Sequence, residues 1–349
     1  MKIADMIEIC NGSERITALA SGEAALEISG AGDTRCRVGR ITAGGFSESI
    51  ALPEKLRCHR TNDNLCAEFD TLNVIPFGCE YRVKRHWTFF NNIALLSCDI
   101  AADNGGTIRA LELEPVEFPF APAKVEFLIF GEDTLHSVDA PEGELYCGSE
   151  VPLMLRVHSA SGSAAEYLCG DDIWRHRAAG KIPGAEAQFK ITATASGVIL
   201  ERKIFDISEE TAVEKRPWKF KSIFSWSNAT PAAAPAADAE KITVPGCFSA
   251  AFAHREIRKA VRRTGANTTL LLSGEFPRLC SDPVHLERSG KAPIEHSDLG
   301  SAAADFLWAN RELAKRGSSL LMSTVSELYG NSIVLSNLSR PLTAFVEED

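Results

Sequence analysis

The sequence predicts a mainly β protein, an antiparallel β-sandwich followed by a C-terminal helical or small α/β unit. Three observations carry this. Through residue 228 apolar and polar residues alternate in short runs separated by glycine and asparagine turns. An Ala/Pro-rich stretch, "NATPAAAPAADAEK" (228–241), then breaks the pattern. After it, apolar residues recur at helical spacing. Many strands with short turns and no intervening helices mean a sandwich or barrel.

The elements follow in order. "ERITALASGEAALEISG" (14–30) alternates and breaks at glycines. "YRVKRHWTFFNNIALLSCDI" (81–100) is two apolar runs around Asn91 and Asn92, a hairpin pattern because asparagine tolerates positive φ. In "GTIRALELEPVEF" (106–118) Ile108 and Ala110 alternate, the phase then moves to Leu111 and Leu113, and Glu112 and Glu114 point outward. Strands are predicted at 124–130, 151–159, 187–196, 197–207 and 218–227. The 187–207 pair echoes the 81–100 pair: strand, small polar turn, strand, ending in Asp-Ile. The predicted organisation is a β-sandwich over 1–228, a stiff linker over 229–245 and the C-terminal unit over 246–349.

In that unit, "GCFSAAFAHREIRKAVRRTG" (246–265) places Ala250, Ala253, Ile257 and Val261 on one face. Arg262 and Arg263 fall in its last turn, and Gly265 is expected as the C-terminal cap. "TTLLLSG" (268–274) reads as a buried strand or short apolar connector. A second helix is expected over 297–317, ended by Gly317, a third over 318–330, and a strand over 332–337.

Composition narrows the function classes. Hydrophobic content of 45% and charged content of 24% are ordinary for a globular protein. Residues 1–239 hold 24 basic and 34 acidic side chains, and 240–349 hold 13 of each, so the first part carries the whole net charge of −10. An acidic surface repels phosphate backbones, which argues against nucleic acid as a partner. The start, "MKIADMIEIC", lacks a signal-peptide core, and no run is apolar enough for a membrane helix. The ten cysteines are scattered without a C-x-x-C pair, and several lie in apolar runs, so reduced thiols and a cytoplasmic location are expected.

The densest polar cluster is "CGDDIWRH" (169–176), between two strand-like stretches. Asp171 and Asp172 would accept hydrogen bonds from hydroxyl groups. Trp174 would stack on the apolar face of a sugar ring. Arg175 and His176 add a fixed charge and a group that titrates near neutrality. A solvated Gly-Asp-Asp turn with Trp174 folded into the core is the competing reading. In "RVKRHWTFF" (82–90), Arg85 and Trp87 share one strand face and Lys84, His86 and Thr88 the other. Arg85 there would reach a ligand carboxylate, or its stem would simply lie along a half-exposed strand. Cys280, His285 and His296, flanked by Asp282 and Asp298, are residue types zinc accepts, but C-x4-H-x10-H matches no zinc signature, and no metal is expected. P-loop, G-x-S-x-G and H-E-x-x-H motifs are absent.

The strand pattern of residues 1–228, carried by "YRVKRHWTFFNNIALLSCDI", "LELEPVEF" and the polar "GDDIWRH" before a hairpin, resembles the β-supersandwich of galactose-mutarotase-like proteins. The resemblance implies a small-molecule carbohydrate as partner. It also implies an acid–base set of two histidines and a glutamate, with no further cofactor. No motif places that set; His86, His176 and Glu186 are the positions the strand arrangement offers. The expected function is binding of a sugar or sugar acid, with mutarotase-, epimerase- or lyase-like chemistry. A non-catalytic interaction module and a metal-dependent hydrolase using the Cys280–His296 loop are the alternatives.

Overall fold

The computed structural model describes residues 106–130, 132, 134–169, 188–213, 218–227, 240–247, 251–275, 308–309, 312–313, 315–324 and 332–333, together with the shorter strands named below. Side chains are described chiefly within 113–169, 188–203, 220–226 and 257–270.

The first strands are β1 (Met6–Asn11), β2 (Glu14–Ala20), β3 (Leu26–Ser29), β4 (Arg35–Val38), β5 (Thr42–Gly44), β6 (Ile50–Ala51) and β7 (Lys55–Thr61). Next come β8 (Asn64–Val74), β9 (Glu80–Phe90), β10 (Ile93–Ala102), β11 (Gly106–Phe118), β12 (Pro122–Ile129), β13 (His136–Asp139) and β14 (Gly143–Gly148). They are followed by β15 (Pro152–Ser159), β16 (Ala164–Cys169), β17 (Gln188–Thr194), β18 (Gly197–Val213) and β19 (Trp218–Ser227). The C-terminal elements are β20 (Glu240–Cys247), α1 (Ala251–Arg263), β21 (Thr269–Glu275), β22 (Ser319–Thr324) and β23 (Val346–Glu347).

Two large antiparallel sheets result, so the predicted mainly β class holds. Sheet one runs β14-β17-β18-β11-β4-β3-β2-β1-β23, with β5 also on β11. Sheet two runs β13-β12-β15-β16-β19-β10-β9-β8-β6, with β7 on β8. The expected hairpin at Asn91-Asn92 forms, with Phe90 opposite Ile93. Its sequence echo, β17–β18, turns at Ala195-Ser196 with Thr194 opposite Gly197, but belongs to the other sheet. The β11–β18 ladder is irregular between Ile108 and Ala110, between Leu111 and Glu112, and between Leu113 and Val116.

Alternation dictates what each face buries. In β17, Phe189, Ile191 and Ala193 are buried, while Gln188, Lys190, Thr192 and Thr194 are half-buried or exposed. In sheet two, Phe127, Leu155, Tyr167 and Phe224 are successive partners across β12, β15, β16 and β19. This row faces sheet one, because Arg202 of β18 donates from Nη1 to the Tyr167 hydroxyl (3.2 Å) and to Ser222 Oγ (2.9 Å). Phe118, Tyr167, Phe189 and Phe224 are the largest fully buried side chains; full burial of a large apolar side chain stabilises by roughly 1.5–3 kcal/mol.

The C-terminal unit has a small parallel sheet, β20-β21-β22, in which α1 is the crossover from β20 to β21. Helix α1 buries Ile257, Ala260 and Val261 and leaves Arg262 and Arg263 exposed in its last turn. Its end is closed differently from the expectation. Gly265 does not take a left-handed backbone; Asn267 (φ 55°) and Gly317 (φ 69°) do. Instead the Arg316 guanidinium donates to the carbonyls of Val261 (2.7 Å) and Thr264 (2.9 Å), and Ser318 Oγ donates to that of Gly265 (2.8 Å). Residues 308–309 and 312–313 are helical, within the second predicted helix. The third predicted helix is corrected: 319–324 is the strand β22, parallel to β21. Leu320, Leu321 and Met322 are consecutive and apolar, the mark of a parallel strand rather than of a one-sided helix. Residue 333, expected in a strand, is helical.

Candidate functional site

Among the described residues two polar arrangements stand on sheet two, one closed and one open. The closed one lies on the face opposite the Tyr167 row. Glu126, Arg156, Glu166 and Ser225 are successive cross-strand partners on β12, β15, β16 and β19. Arg156 Nε donates to Glu166 Oε2 at 2.7 Å and Arg156 Nη1 to Glu126 Oε2 at 2.9 Å. Glu126, Arg156 and Glu166 are 8%, 3% and 0% exposed. Burial pushes the Glu126 carboxyl up. Hydrogen bonds from Lys124 and His158, with the charges of Arg156 and His158, outweigh it and hold the group at about 2. Burial likewise works against the Arg156 charge, and the two carboxylates more than reverse that. A ladder so fully paired fixes register and holds charge; it leaves no room for a substrate.

The open arrangement is at one end of the sandwich. There β12 gives way to β13, β14 to β15, and β16 to β17, the last two passing between the sheets. His136 and Phe127 are cross-strand partners, and their rings stack at 4.7 Å with 9° between planes. His136 Nε2 pairs with Glu132 Oε2 at 2.5 Å. Tyr146, from the edge of sheet one, tilts against Phe127 at 6.5 Å. Its hydroxyl donates to the Glu150 carbonyl at 2.9 Å, and burial pushes the phenol above its ordinary value, with Glu150 and Glu132 adding to the effect. Gly148 permits this: a Cβ there would lie 2.5 Å from the Tyr146 hydroxyl. A stacked imidazole held by a carboxylate can donate or accept a proton, and the phenol beside it is held neutral.

Asp171, Asp172, Trp174, Arg175, His176 and Glu186 lie outside the described residues. Their connection, 170–187, leaves sheet two at Cys169 and enters sheet one at Gln188, whose side chain donates to Cys147 Sγ at 3.3 Å. It therefore starts and finishes at the end of the sandwich that carries Glu132, His136 and Tyr146. Arg85 and His86 fall in β9, with side chains outside the described residues. His86 is opposite Ser97, and Ser97 is opposite Lys221, the row immediately beyond Cys169–Ser222. In the sheet order β9 stands three strand spacings from β16, or about 14 Å. Cys280, Asp282, His285, His296 and Asp298 lie outside the described residues. Among the described residues no group of three His, Cys, Asp or Glu could hold a metal.

Sequence reasoning missed Glu132, His136, Tyr146 and the Glu126–Arg156–Glu166 ladder. The ladder had a partial signal: Glu126, Arg156 and Glu166 each interrupt an apolar run, as in "VEFLI", "LMLRV" and "AAEYL". The His136 pair had only an i,i+4 spacing in a connection.

No protein-family model matches the sequence. No curated protein matches it either. Solved structures do give matches. The Slr1438 protein of Synechocystis sp. PCC 6803 aligns at TM-score 0.44 and 9% identity, over 65% of this chain and 97% of that one. A GalM/aldose epimerase homologue from C. elegans aligns at 0.40 and 10%, over 65% and 100%. The α-N-acetylgalactosaminidase NagBb from Bifidobacterium bifidum aligns at 0.43 and 10%. That match covers 90% of this chain, which spans 58% of the enzyme. The chain thus has a diffuse resemblance in fold to aldose-epimerase-like structures. At these scores the resemblance assigns no activity.

Proposed function

We propose that this chain is a carbohydrate-recognising β-sandwich protein acting by proton transfer, with its ligand at the sandwich end that carries Glu132, His136 and Tyr146. The observation that carries the reading is the Glu132–His136 pair, stacked on Phe127 at the end of the sandwich where β16 finishes and β17 begins. His136 would exchange a proton with a ring or anomeric oxygen, and Glu132 would hold the imidazole in one orientation. From the connection, Trp174 supplies a stacking face, Asp171 and Asp172 accept from ligand hydroxyls, and Arg175 meets a sugar-acid carboxylate. His176 and Glu186, with His86 across the sheet, complete the titratable groups of this end. A mutarotase- or epimerase-like reaction fits this set best, in a cytoplasmic protein that needs no metal.

An interaction module would offer an exposed apolar surface. Among the described residues Ile199, at 37%, is the one large hydrophobic side chain that is exposed. No helix among them is long and apolar enough to cross a membrane, and Cys147 is in no disulfide.

Calorimetry with neutral sugars and sugar acids tests the reading. Wild type should bind at least one member, and Trp174→Ala should weaken that binding by about 1–3 kcal/mol, the usual effect of removing an aromatic anchor. Equal binding by wild type and Trp174→Ala would remove the connection from the site.

A further inference from the structure

The outer face of sheet two poses a question that the carbohydrate reading leaves unanswered. One face of an antiparallel sandwich sheet normally meets water, and β17 shows the alternation that results. Strands β15 and β16 do not alternate: every residue of β16 is buried, and every residue of β15 except His158. This face also carries the Glu126–Arg156–Glu166 ladder, in which one guanidinium serves two carboxylates. Burial of Glu126, Arg156 and Glu166 means that something covers the ladder.

We propose that the chain's own stretch at Ser332–Ile333 is a strap docked on this face, with Glu166 as its anchor. Ser332 Oγ donates to Glu166 Oε1 at 2.5 Å, and the Ile333 amide donates to Glu166 Oε2 at 3.1 Å. Ser332 and Ile333 are themselves buried. Side-chain and backbone donors therefore converge on one carboxylate across 166 residues of sequence separation. The arrangement is selective: a buried anion accepts only a segment that offers donors at those two positions, and an apolar segment would leave it under-paired. Farther along, Val346 and Glu347 pair with Cys10 and Ile9 at the edge of sheet one. The same C-terminal stretch thus engages both sheets and ties the parallel unit to the sandwich. Glu166 is a positioning residue here. It stands three positions before Cys169, so the strap also steadies the strand from which 170–187 departs.

Hydrogen exchange at the Ile333 amide of the full chain tests the strap without any sugar. In wild type this amide should be protected. Ser332→Ala and Glu166→Gln should each speed its exchange about tenfold or more, because each removes part of a hydrogen-bonding set built on a charged acceptor. Their effects should not multiply in the double variant, and in Ser332→Ala, which leaves the Arg156 pairs intact, amides of β12 should be unchanged. Free exchange of Ile333 in wild type would overturn the strap. So would unchanged exchange in Ser332→Ala, or multiplying effects in the double variant. Should Glu166→Gln fail to fold, Ser332→Ala decides alone.

Discussion

Arg156 and Glu166 form the tightest described contact in the ladder of sheet two, Nε to Oε2 at 2.7 Å, while the other arm of the same guanidinium reaches Glu126. One cation thus spans three adjacent strands. Arg156→Leu should destabilise the chain by about 3–5 kcal/mol, because it strands two buried carboxylates. Replacing Glu126, Arg156 and Glu166 together by apolar residues of matching volume should recover most of that loss. Denaturant midpoints of the two variants check this. A triple variant no more stable than Arg156→Leu would count against an electrostatic origin.

Acid should act through Glu126. Its folded value, about 2, lies below the ordinary 4.5. A carboxyl depressed in this way stabilises the fold above its ordinary value, and that stabilisation is lost as pH falls from 4.5 toward 2. The stability gap between wild type and Glu126→Gln should be widest above pH 4.5 and close toward pH 2. A gap that does not change over this range would contradict the assigned pairing.

The end of α1 makes a third case. Arg316 donates to two carbonyls there, so Arg316→Ala should cost about 1–3 kcal/mol. Arg316→Lys should recover only part, because one ammonium does not reproduce the planar fork. Thermal unfolding of the three proteins gives the ranking, and equal midpoints would deny Arg316 its capping role.

Gly148→Ala probes the open site with little change in bulk. The added Cβ would fall 2.5 Å from the Tyr146 hydroxyl, so the phenol must leave the Glu150 carbonyl. Burial is the largest cause of the raised phenol, so a ring pushed toward solvent should titrate closer to the ordinary tyrosine range, read by ultraviolet difference spectra. An unchanged titration would show that the ring accommodates the methyl group.

Much of the fold was legible because a strand's period is short and its turn residues are specific. Asn91-Asn92 marked the β9–β10 hairpin, whereas the bulges of β11 were not read from its alternation. Leu320, Leu321 and Met322 misled because a run of three apolar residues fits a buried helix turn as well as a parallel strand. Gly265 misled because Arg316, fifty-one residues later, supplied the cap that a glycine usually helps to form. The site was harder to read. Glu126, Arg156 and Glu166 become neighbours only through strand register, and His136 owes its partners to the stacking of Phe127 and the edge strand β14. Spacing along the chain carries none of this.

A sugar bound beside His136 would be felt first by that imidazole, and its resonances report it. With the His136 signal assigned by comparison with His136→Gln, neutral sugars and sugar acids are titrated to millimolar concentration. At least one should shift the His136 ring resonances while those of His158, which pairs with Glu126 in the closed ladder, stay in place. A panel that moves neither ring, or moves His158 and leaves His136 unchanged, would contradict it.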